Sequence, residues 1–175
     1  MVIRRYAEND HAVVRALFLA VNRELAPPDL HEAFESYITR SLEEEIDRLS
    51  AYYAGKQGKF FVAYEGEALA GMFGLEGLGA QAAELRRMYV DASFRKRGLA
   101  RMMLDHAEHV CREAGTSVLT LSTSELQQAA LAFYRNAGYR LMREATAAAQ
   151  SNKTVGGDVR RYYFEKSLAP GSSPR

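Results

Sequence analysis

The sequence has few of the residues that hold a protein together through covalent or metal cross-links. It contains one cysteine, Cys111, in 175 residues, which excludes an internal disulfide and a metal site built from several thiolates. His106 and His109 have a spacing suitable for two metal ligands on one helix, but no third ligand is evident nearby. We therefore predict that no metal is bound, that both histidines are partly buried or at the surface, and that Cys111 is a small buried hydrophobic residue.

Long apolar runs and an excess of one charge are also missing. No uninterrupted apolar stretch is long enough to cross a bilayer, and the first ten residues, MVIRRYAEND, lack the apolar run of a signal peptide. The formal net charge of +1 is too small to draw the whole protein to nucleic acid or to an acidic membrane. These absences predict a cytoplasmic protein that binds neither nucleic acid nor membrane, and any anion site must be local.

What is present is the composition and element pattern of one globular domain. The chain is 47% hydrophobic and 26% charged, which is typical of globular proteins. Hydrophobic periodicity and turn residues predict the order β-α-α-β-β-β-α-β-α-β-β, a mixed α/β fold, with the second helical region over residues 30–54. We predict a single domain over residues 1–168 and a disordered Pro/Gly/Ser tail over residues 169–175.

The most distinctive local feature is the basic sequence RKRG, from Arg95 to Gly98, between a predicted strand and a predicted helix. The unpaired N–H groups and the dipole at a helix N-terminus favour phosphate or pyrophosphate. Gly98 lets the backbone approach an oxygen atom, and Arg95, Lys96 and Arg97 can donate charged hydrogen bonds. Taken alone, RKRG is more simply a solvated basic loop, since it matches neither a P-loop nor a dinucleotide fingerprint.

The strand before this loop, ELRRMYV, has an irregular apolar pattern. Met88 and Val90 share one face under strict alternation, whereas Leu85 falls on the other. One extra residue near Arg86 and Arg87 would bring all three into phase, which is the effect of a β-bulge, and a bulge can separate neighbouring strands. The alternative is a strand covered on both faces, which needs no alternation.

Two sequence blocks together resemble the GNAT superfamily of acyl-CoA-dependent N-acyltransferases. The first, ELRRMYVDASFRKRGLARMML, resembles the strand, Arg/Gln-x-x-Gly-x-Gly/Ala loop and helix of that family. The second, AALAFYRNAGYRLM, resembles its Ala-x-x-Phe-Tyr-x-x-x-Gly-Phe/Tyr block. The resemblance covers residues 60–144, and the first fifty-odd residues match only in the order of elements. The residues at motif positions are Arg95, Gly98, Ala100, Ala130, Phe133, Tyr134, Gly138 and Tyr139.

The resemblance implies a fold and a cosubstrate. The fold is a mixed, mostly antiparallel sheet of about seven strands, flanked by about four helices and splayed at the cofactor slot. The pyrophosphate of acetyl-CoA is expected on the RKRGLA loop, with pantetheine between the LRRMYV and VLTLST strands and backbone N–H groups near Met88 and Tyr89 polarising the thioester. The residues expected to bind the cofactor are Met88, Tyr89, Val90, Arg95, Lys96, Arg97, Gly98, Leu99, Ala100, Arg101, Gln127, Ala130 and Phe133.

Attack of an amine on a thioester needs a base for the amine and an acid for the leaving thiolate. Glu84, at the start of the ELRRMYV strand, is the candidate base, acting through water; the alternative is a solvent-exposed strand-end carboxylate. Tyr134 stands where the family often has its general acid; the alternative is core packing, with its hydroxyl bonded to a backbone carbonyl.

Two further patterns have a structural and a functional interpretation. Gln127 stands where many relatives carry an asparagine that contacts coenzyme A, but Ser124-x-x-Gln127 is also a capping box for a helix from Ser124 to Gly138, and we favour capping. The acidic run EEEID, residues 43–47, could attract a cationic amine, although such a run is more often a solvated helix face.

The resulting hypothesis is an N-acetyltransferase. It would move acetyl from acetyl-CoA to a primary amine of a small molecule, peptide or protein by direct attack in a ternary complex. The alternative is a non-catalytic acyl-CoA-binding or sensing module of the same fold. Family resemblance allows a homodimer. The acceptor side, expected from residues 21–53 and 145–158, carries no motif that identifies the amine.

Overall fold

Among residues 1–168, seven strands form one sheet in the order β1-β2-β3-β4-β5-β7-β6. The computed structural model describes residues 1–168, so the predicted tail over residues 169–175 lies outside the described residues. The strands are β1 (Val2–Arg5), β2 (Lys59–Glu65), β3 (Ala68–Gly77), β4 (Ala82–Val90), β5 (Val118–Ser124), β6 (Arg140–Ala147) and β7 (Val159–Ser167). The α-helices are α1 (His11–Leu25), α2 (His31–Glu44), α3 (Leu49–Gly55), α4 (Leu99–Glu113) and α5 (Gln128–Asn136).

The pairing of the strands confirms the predicted fold class. Each neighbouring pair is antiparallel except β4 and β5, which run parallel. The second helical region is interrupted, because Glu45 leaves helical geometry (φ −137°, ψ −62°) and a 3₁₀ turn, Ile46–Arg48, separates α2 from α3. Counted as one region, α2 and α3 complete the four predicted helical segments. Strand β6 also extends three residues into the segment 145–158 that was expected on the acceptor side.

Helices cover both faces of the sheet, so strand side chains, which alternate between the faces, are buried in two cores. On one face, α1, α2 and α3 enclose a core that includes Phe18, Ile38 and Met72. On the other face, α4 and α5 enclose a core that includes Phe73 and Leu104. The adjacent residues Met72 and Phe73 of β3 thus belong to opposite cores, as expected for a central strand covered on both sides.

The start of α5 differs from the prediction. Strand β5 pairs with β7 through Ser124, whose partner is Arg161, so the backbone of Ser124 belongs to the sheet and α5 begins at Gln128. The predicted capping box is therefore wrong. Instead, the Thr123 hydroxyl donates to Oε1 of Gln127 at 2.9 Å.

The sheet is splayed at a bulge in β4. Two residues of β4, Arg87 and Met88, lie opposite one residue of β3, and Arg87 has a positive φ of 53°. Leu85, Met88 and Val90 consequently pack on the same core, which confirms the predicted bulge. The pairing of β4 with β5 begins at Ala82 and ends at Leu85. Beyond this point β5 continues to pair with β7 but no longer with β4.

We expect Gly74 of β3, which lies opposite this part of β4, to tolerate no side chain. A Cβ on Gly74 would overlap the hydroxyl and ring of Tyr53, which is buried and donates to Oε1 of Glu45 at 2.9 Å. Gly74→Ala should lower the free energy of unfolding by about 1–3 kcal/mol, measured by urea denaturation. Gly55→Ala is the control, because a Cβ there meets nothing within 4 Å; equal losses in both variants would contradict the predicted overlap.

Candidate active site

A cleft opens where β4 and β5 separate. One wall carries the cofactor candidates Met88, Gln127 and Ala130 together with Tyr134, and the same cleft is lined by Glu84. The structure thus brings the two predicted catalytic residues into one cleft, although they are 50 positions apart in the sequence. The opposite wall is formed by α1, α2 and the loop between β6 and β7, with the residues Asn22, Leu25, Phe34, Tyr37, Asn152, Lys153, Val155 and Gly156.

The basic loop lies after β4, at the N-terminus of α4. Gly98 precedes the helix with φ 79°, a left-handed conformation that favours glycine, and a Cβ there would meet nothing within 4 Å. The space in front of the helix N-terminus is therefore open. Arg95 is paired with Glu24 at 2.6 Å and Arg97 with Glu65 at 2.8 Å, so the protein itself supplies carboxylates for two of the three basic residues.

The remaining cofactor candidates are placed in different ways. The Leu99 side chain is buried in the core, so only its backbone can face a ligand. Arg101 is paired along α4 with Asp105 at 2.9 Å. The other side chains pack inward: Val90 and Phe133 against the α4–α5 core, and Tyr89 against the core on the opposite face, while Ala100 is half-buried.

Tyr134 is buried beside the cleft, with its hydroxyl 3.5 Å from Sδ of Met88. Burial raises the pKa of this hydroxyl well above its usual range. The phenol is protonated at neutral pH, as a proton donor must be, but its raised pKa makes it a weaker acid than a free phenol. The alternative considered from the sequence was a hydrogen bond from this hydroxyl to a backbone carbonyl. Among the described residues the hydroxyl instead contacts the thioether of Met88.

Glu84 faces the cleft from β4. Its Oε2 is 2.5 Å from Nζ of Lys153, and 16% of its side chain is exposed. The interpretation of Glu84 as a solvent-exposed strand-end carboxylate is therefore wrong. Its role as a base stays a prediction.

A buried charge network behind the cleft was missed from the sequence. We define it as Arg86, Arg87, Glu45 and Glu76, whose side chains are each at most 5% exposed. Oε2 of Glu45 accepts from Arg86 at 3.0 Å and from Arg87 at 2.7 Å, and Glu76 accepts from Arg86 at 2.7 Å. The interpretation of residues 43–47 as a solvated face is wrong for Glu45.

The charges of this network are stabilised by each other. Burial acts to raise the pKa of Glu45, but the guanidinium groups of Arg87 and Arg86 outweigh it and hold that pKa below its usual value. Glu45 consequently stays ionised at neutral pH. The signal in the sequence was its position, because Glu45 lies three residues after Leu42 and four before Leu49 on the apolar stripe of the helical region.

The same arginines attach the loop between β6 and β7. The carbonyl of Asn152 accepts from Nη2 of Arg86 at 3.2 Å and of Arg87 at 2.7 Å. On the α2 side, Nε2 of Gln150 donates to the carbonyl of Ala33 at 3.0 Å. The wall of the cleft opposite Tyr134 is therefore fixed by partly buried hydrogen bonds.

The described residues were also searched for metal sites and membrane-spanning helices. No group of three or more His, Cys, Asp and Glu side chains among residues 1–168 is placed to hold a metal ion. His106 packs edge-on against Phe61 at 5.4 Å, and Cys111 is buried, which raises the pKa of its thiol to about 11. Over the same residues, every helix is too short or too polar to span a bilayer.

Comparisons with known sequences point to one family. A family model described as "Acetyltransferase (GNAT) family" matches residues 23–139, about two thirds of the chain. The chain is 25% identical over 114 residues to "Probable N-acetyltransferase family 8 member 5" of Mus musculus, covering 62% of this chain and 50% of that protein. It is 29% identical over 99 residues to "Probable N-acetyltransferase 14" of Xenopus tropicalis, covering 55% and 48%. The match therefore spans about half the length of these curated relatives.

Comparisons with solved structures show the fold. A GNAT-family acetyltransferase of Staphylococcus aureus aligns with a TM-score of 0.72 at 20% identity, over 95% of this chain and 98% of that one. An aminoglycoside 6'-N-acetyltransferase, complexed with coenzyme A, aligns with a TM-score of 0.73 at 17% identity over 100% of both chains. Both confirm the fold class predicted from the sequence.

We expect the buried network to be sensitive to loss of its shared carboxylate. Glu45→Gln leaves Arg87 buried without a charged partner, and the free energy of unfolding should fall by about 3 kcal/mol or more. Urea denaturation measures the loss. Glu43→Gln, an exposed change two residues earlier in α2, should stay within about 0.5 kcal/mol of the parent protein. A Glu45→Gln variant as stable as the control would contradict the role assigned to this carboxylate.

Proposed function

The chain belongs to the GNAT acetyltransferase family, and on that premise we propose that it transfers acetyl from acetyl-CoA to a primary amine by direct attack in a ternary complex. The observation that carries this proposal is the position of Glu84 and Tyr134 in one cleft where β4 and β5 separate. A carboxylate and a protonated phenol are the base and acid that attack of an amine on a thioester requires. The amine belongs to a small molecule, a peptide or a protein.

The N-terminus of α4 suits the pyrophosphate of coenzyme A. Its first N–H groups have no partner within the helix, and the space at Gly98 is open. The ion pairs of Arg95 and Arg97 are solvent-exposed, and such pairs contribute about 0–1 kcal/mol each. Both guanidinium groups can therefore exchange a carboxylate for phosphate oxygens at small cost.

The edge of β4 beyond Leu85 suits an extended pantetheine chain. When bound there, acetyl-CoA supplies the activated thioester. Backbone N–H groups near Met88 and Tyr89 polarise its carbonyl oxygen, and fixed donors of this kind act more strongly in a slot than in water. Gln127 and Ala130 line the side of the cleft formed by the start of α5.

Proton transfer is divided between the two sides of the cleft. An alkylamine has a pKa of about 10.4, so near neutral pH it must lose a proton before it attacks. Glu84 accepts that proton, directly or through water. Tyr134, whose hydroxyl lies 3.5 Å from Met88 Sδ at the bulge, donates a proton to the leaving sulfur.

The second candidate function is an acyl-CoA-binding module without catalysis. The joint presence of Glu84 and Tyr134 in the cleft favours the enzyme. The deciding experiment measures thiol release from acetyl-CoA over a panel of amines: amino acids, polyamines, an aminoglycoside and peptides with free N-termini. Binding of coenzyme A without thiol release on any amine would favour the module.

Several sequence-based expectations stay predictions. These are a single domain over residues 1–168, a cytoplasmic location, the absence of nucleic-acid and membrane binding, and a homodimer.

We predict that Gly98→Glu weakens coenzyme A binding at least about tenfold, or roughly 1.4 kcal/mol. The new side chain would fill the space expected for the pyrophosphate, and its carboxylate would repel the pyrophosphate charge. Isothermal titration with coenzyme A measures the affinity, and circular dichroism checks folding. Gly98→Ala is the matched control: it has the same left-handed backbone and a small, neutral side chain, so its affinity should fall less. Equal affinity in folded Gly98→Glu and parent protein would overturn the anion site.

We predict that Tyr134→Phe lowers the turnover number about 100-fold, because the leaving thiolate loses its proton donor. Coenzyme A affinity should change little. Steady-state kinetics use whichever amine of the panel reacts fastest. Tyr139→Phe is the control, since it removes another buried hydroxyl, one bonded to Glu108 at 3.2 Å. A Tyr134→Phe variant with the turnover number of the parent protein would contradict the acid role and leave core packing as the role of Tyr134.

A further inference from the structure

A lysine ammonium group lies in the acceptor side of the cleft. Nζ of Lys153 is 2.5 Å from Oε2 of Glu84 and 3.5 Å from Oε1 of Glu76. Lys153 lines the same cleft as Glu84, Met88 and Tyr134, and 37% of its side chain is exposed. A primary amine of the protein itself thus stands beside the candidate base.

The backbone around Lys153 is held in place. Its own N–H donates to Oγ of Ser151 at 3.0 Å, and the N–H of Ser151 donates to the carbonyl of Thr154 at 3.0 Å, which closes a tight turn. The preceding carbonyl, of Asn152, is bound by the two buried arginines of the charge network. Lys153 is therefore presented to the cleft from a fixed turn, which lowers the entropic cost of placing its amine.

Other lysines do not share this position. Lys56 also approaches Glu76, with its Nζ 3.7 Å from Oε1, but among residues 1–168 Lys153 is the lysine that lines the cleft. Lys56 therefore provides an internal reference that shares the Glu76 carboxylate but does not line the cleft that contains Tyr134.

From this juxtaposition we propose that Lys153 is an internal acetyl acceptor and that the protein acetylates its own Nζ; this proposal rests on the function proposed above. Glu84 takes a proton from the ammonium, and the freed lone pair forms a C–N bond to the acetyl carbonyl carbon. The C–S bond of acetyl-CoA breaks and the sulfur takes a proton from Tyr134, while the attacking nitrogen loses its second proton to solvent. Tyr134 then regains a proton from solvent, and Glu84 releases the proton that it accepted. The products are acetyl-Lys153, coenzyme A and one proton. Acetyl-Lys153 is neutral, so its ion pair with Glu84 is lost.

The test incubates the purified full chain with acetyl-CoA carrying a ¹³C-labelled acetyl group, without added amine. Peptide mass spectrometry follows the heavy acetyl group on each lysine over time. We expect an initial rate at Lys153 at least about tenfold above that at Lys56, because the Lys153 amine is held beside the reacting groups. The fraction labelled at a given time should be independent of protein concentration.

Two variants separate catalysis from chemical acetylation. Glu84→Gln should lower labelling of Lys153 at least about tenfold and leave labelling of Lys56 unchanged. Lys153→Arg, which keeps the positive charge beside Glu84, should remove the fast phase of total labelling.

Each result is decisive. Labelling of Lys153 no faster than Lys56, equal labelling in Glu84→Gln, or a labelled fraction that rises with protein concentration would overturn the internal acceptor. In a protein that binds coenzyme A by calorimetry and acetylates an amine of the panel, such a result leaves the proposed function standing. Absence of coenzyme A binding would overturn both.

Discussion

The bulge in β4 is the constraint on which the site depends. Two residues, Arg87 and Met88, lie opposite one residue of β3, and a bulge of this kind bends and twists the strand that carries it. Met88 and Val90 thereby join Leu85 in the core under α4 and α5. The pairing of β4 with β5 ends at Leu85. One extra residue therefore keeps the core continuous and also opens the cleft.

The bulge also explains why two adjacent arginines share one carboxylate. In a regular strand Arg86 and Arg87 would point to opposite faces, whereas here both reach Glu45. Ions buried in this way gain little net stability over apolar residues of similar size, because desolvation offsets their attraction. The arrangement instead fixes geometry, since the end of α2, β4 and the carbonyl of Asn152 meet at these two guanidinium groups.

Local signals were sufficient to predict the start of α4 and the bulge in β4. Gly98, the basic residues around it and the apolar phase of ELRRMYV each act through neighbours in sequence, so the helix start and the bulge could be predicted. The start of α5 could not, because Ser124 suits both a helix cap and a strand end, and pairing with Arg161 of β7 decides between them. That pairing is a long-range contact with no local signature.

The contacts of the acceptor side could not be predicted either, because they too are long-range and have no local signature in the sequence. Glu45, Glu76, Glu84 and Lys153 belong to four different elements or loops. Glu45 lies on an apolar stripe and Glu84 at the start of ELRRMYV, but nothing in their sequence neighbours shows which charges pair. Only the fold brings Glu45 and Glu76 to the arginines of β4, where burial makes an unpaired charge expensive. It also brings Lys153 to Glu76 and Glu84. A sequence motif can therefore point to the family and to the donor that we propose for this cleft, whereas the contacts of the opposite wall depend on pairings that exist only in the folded chain.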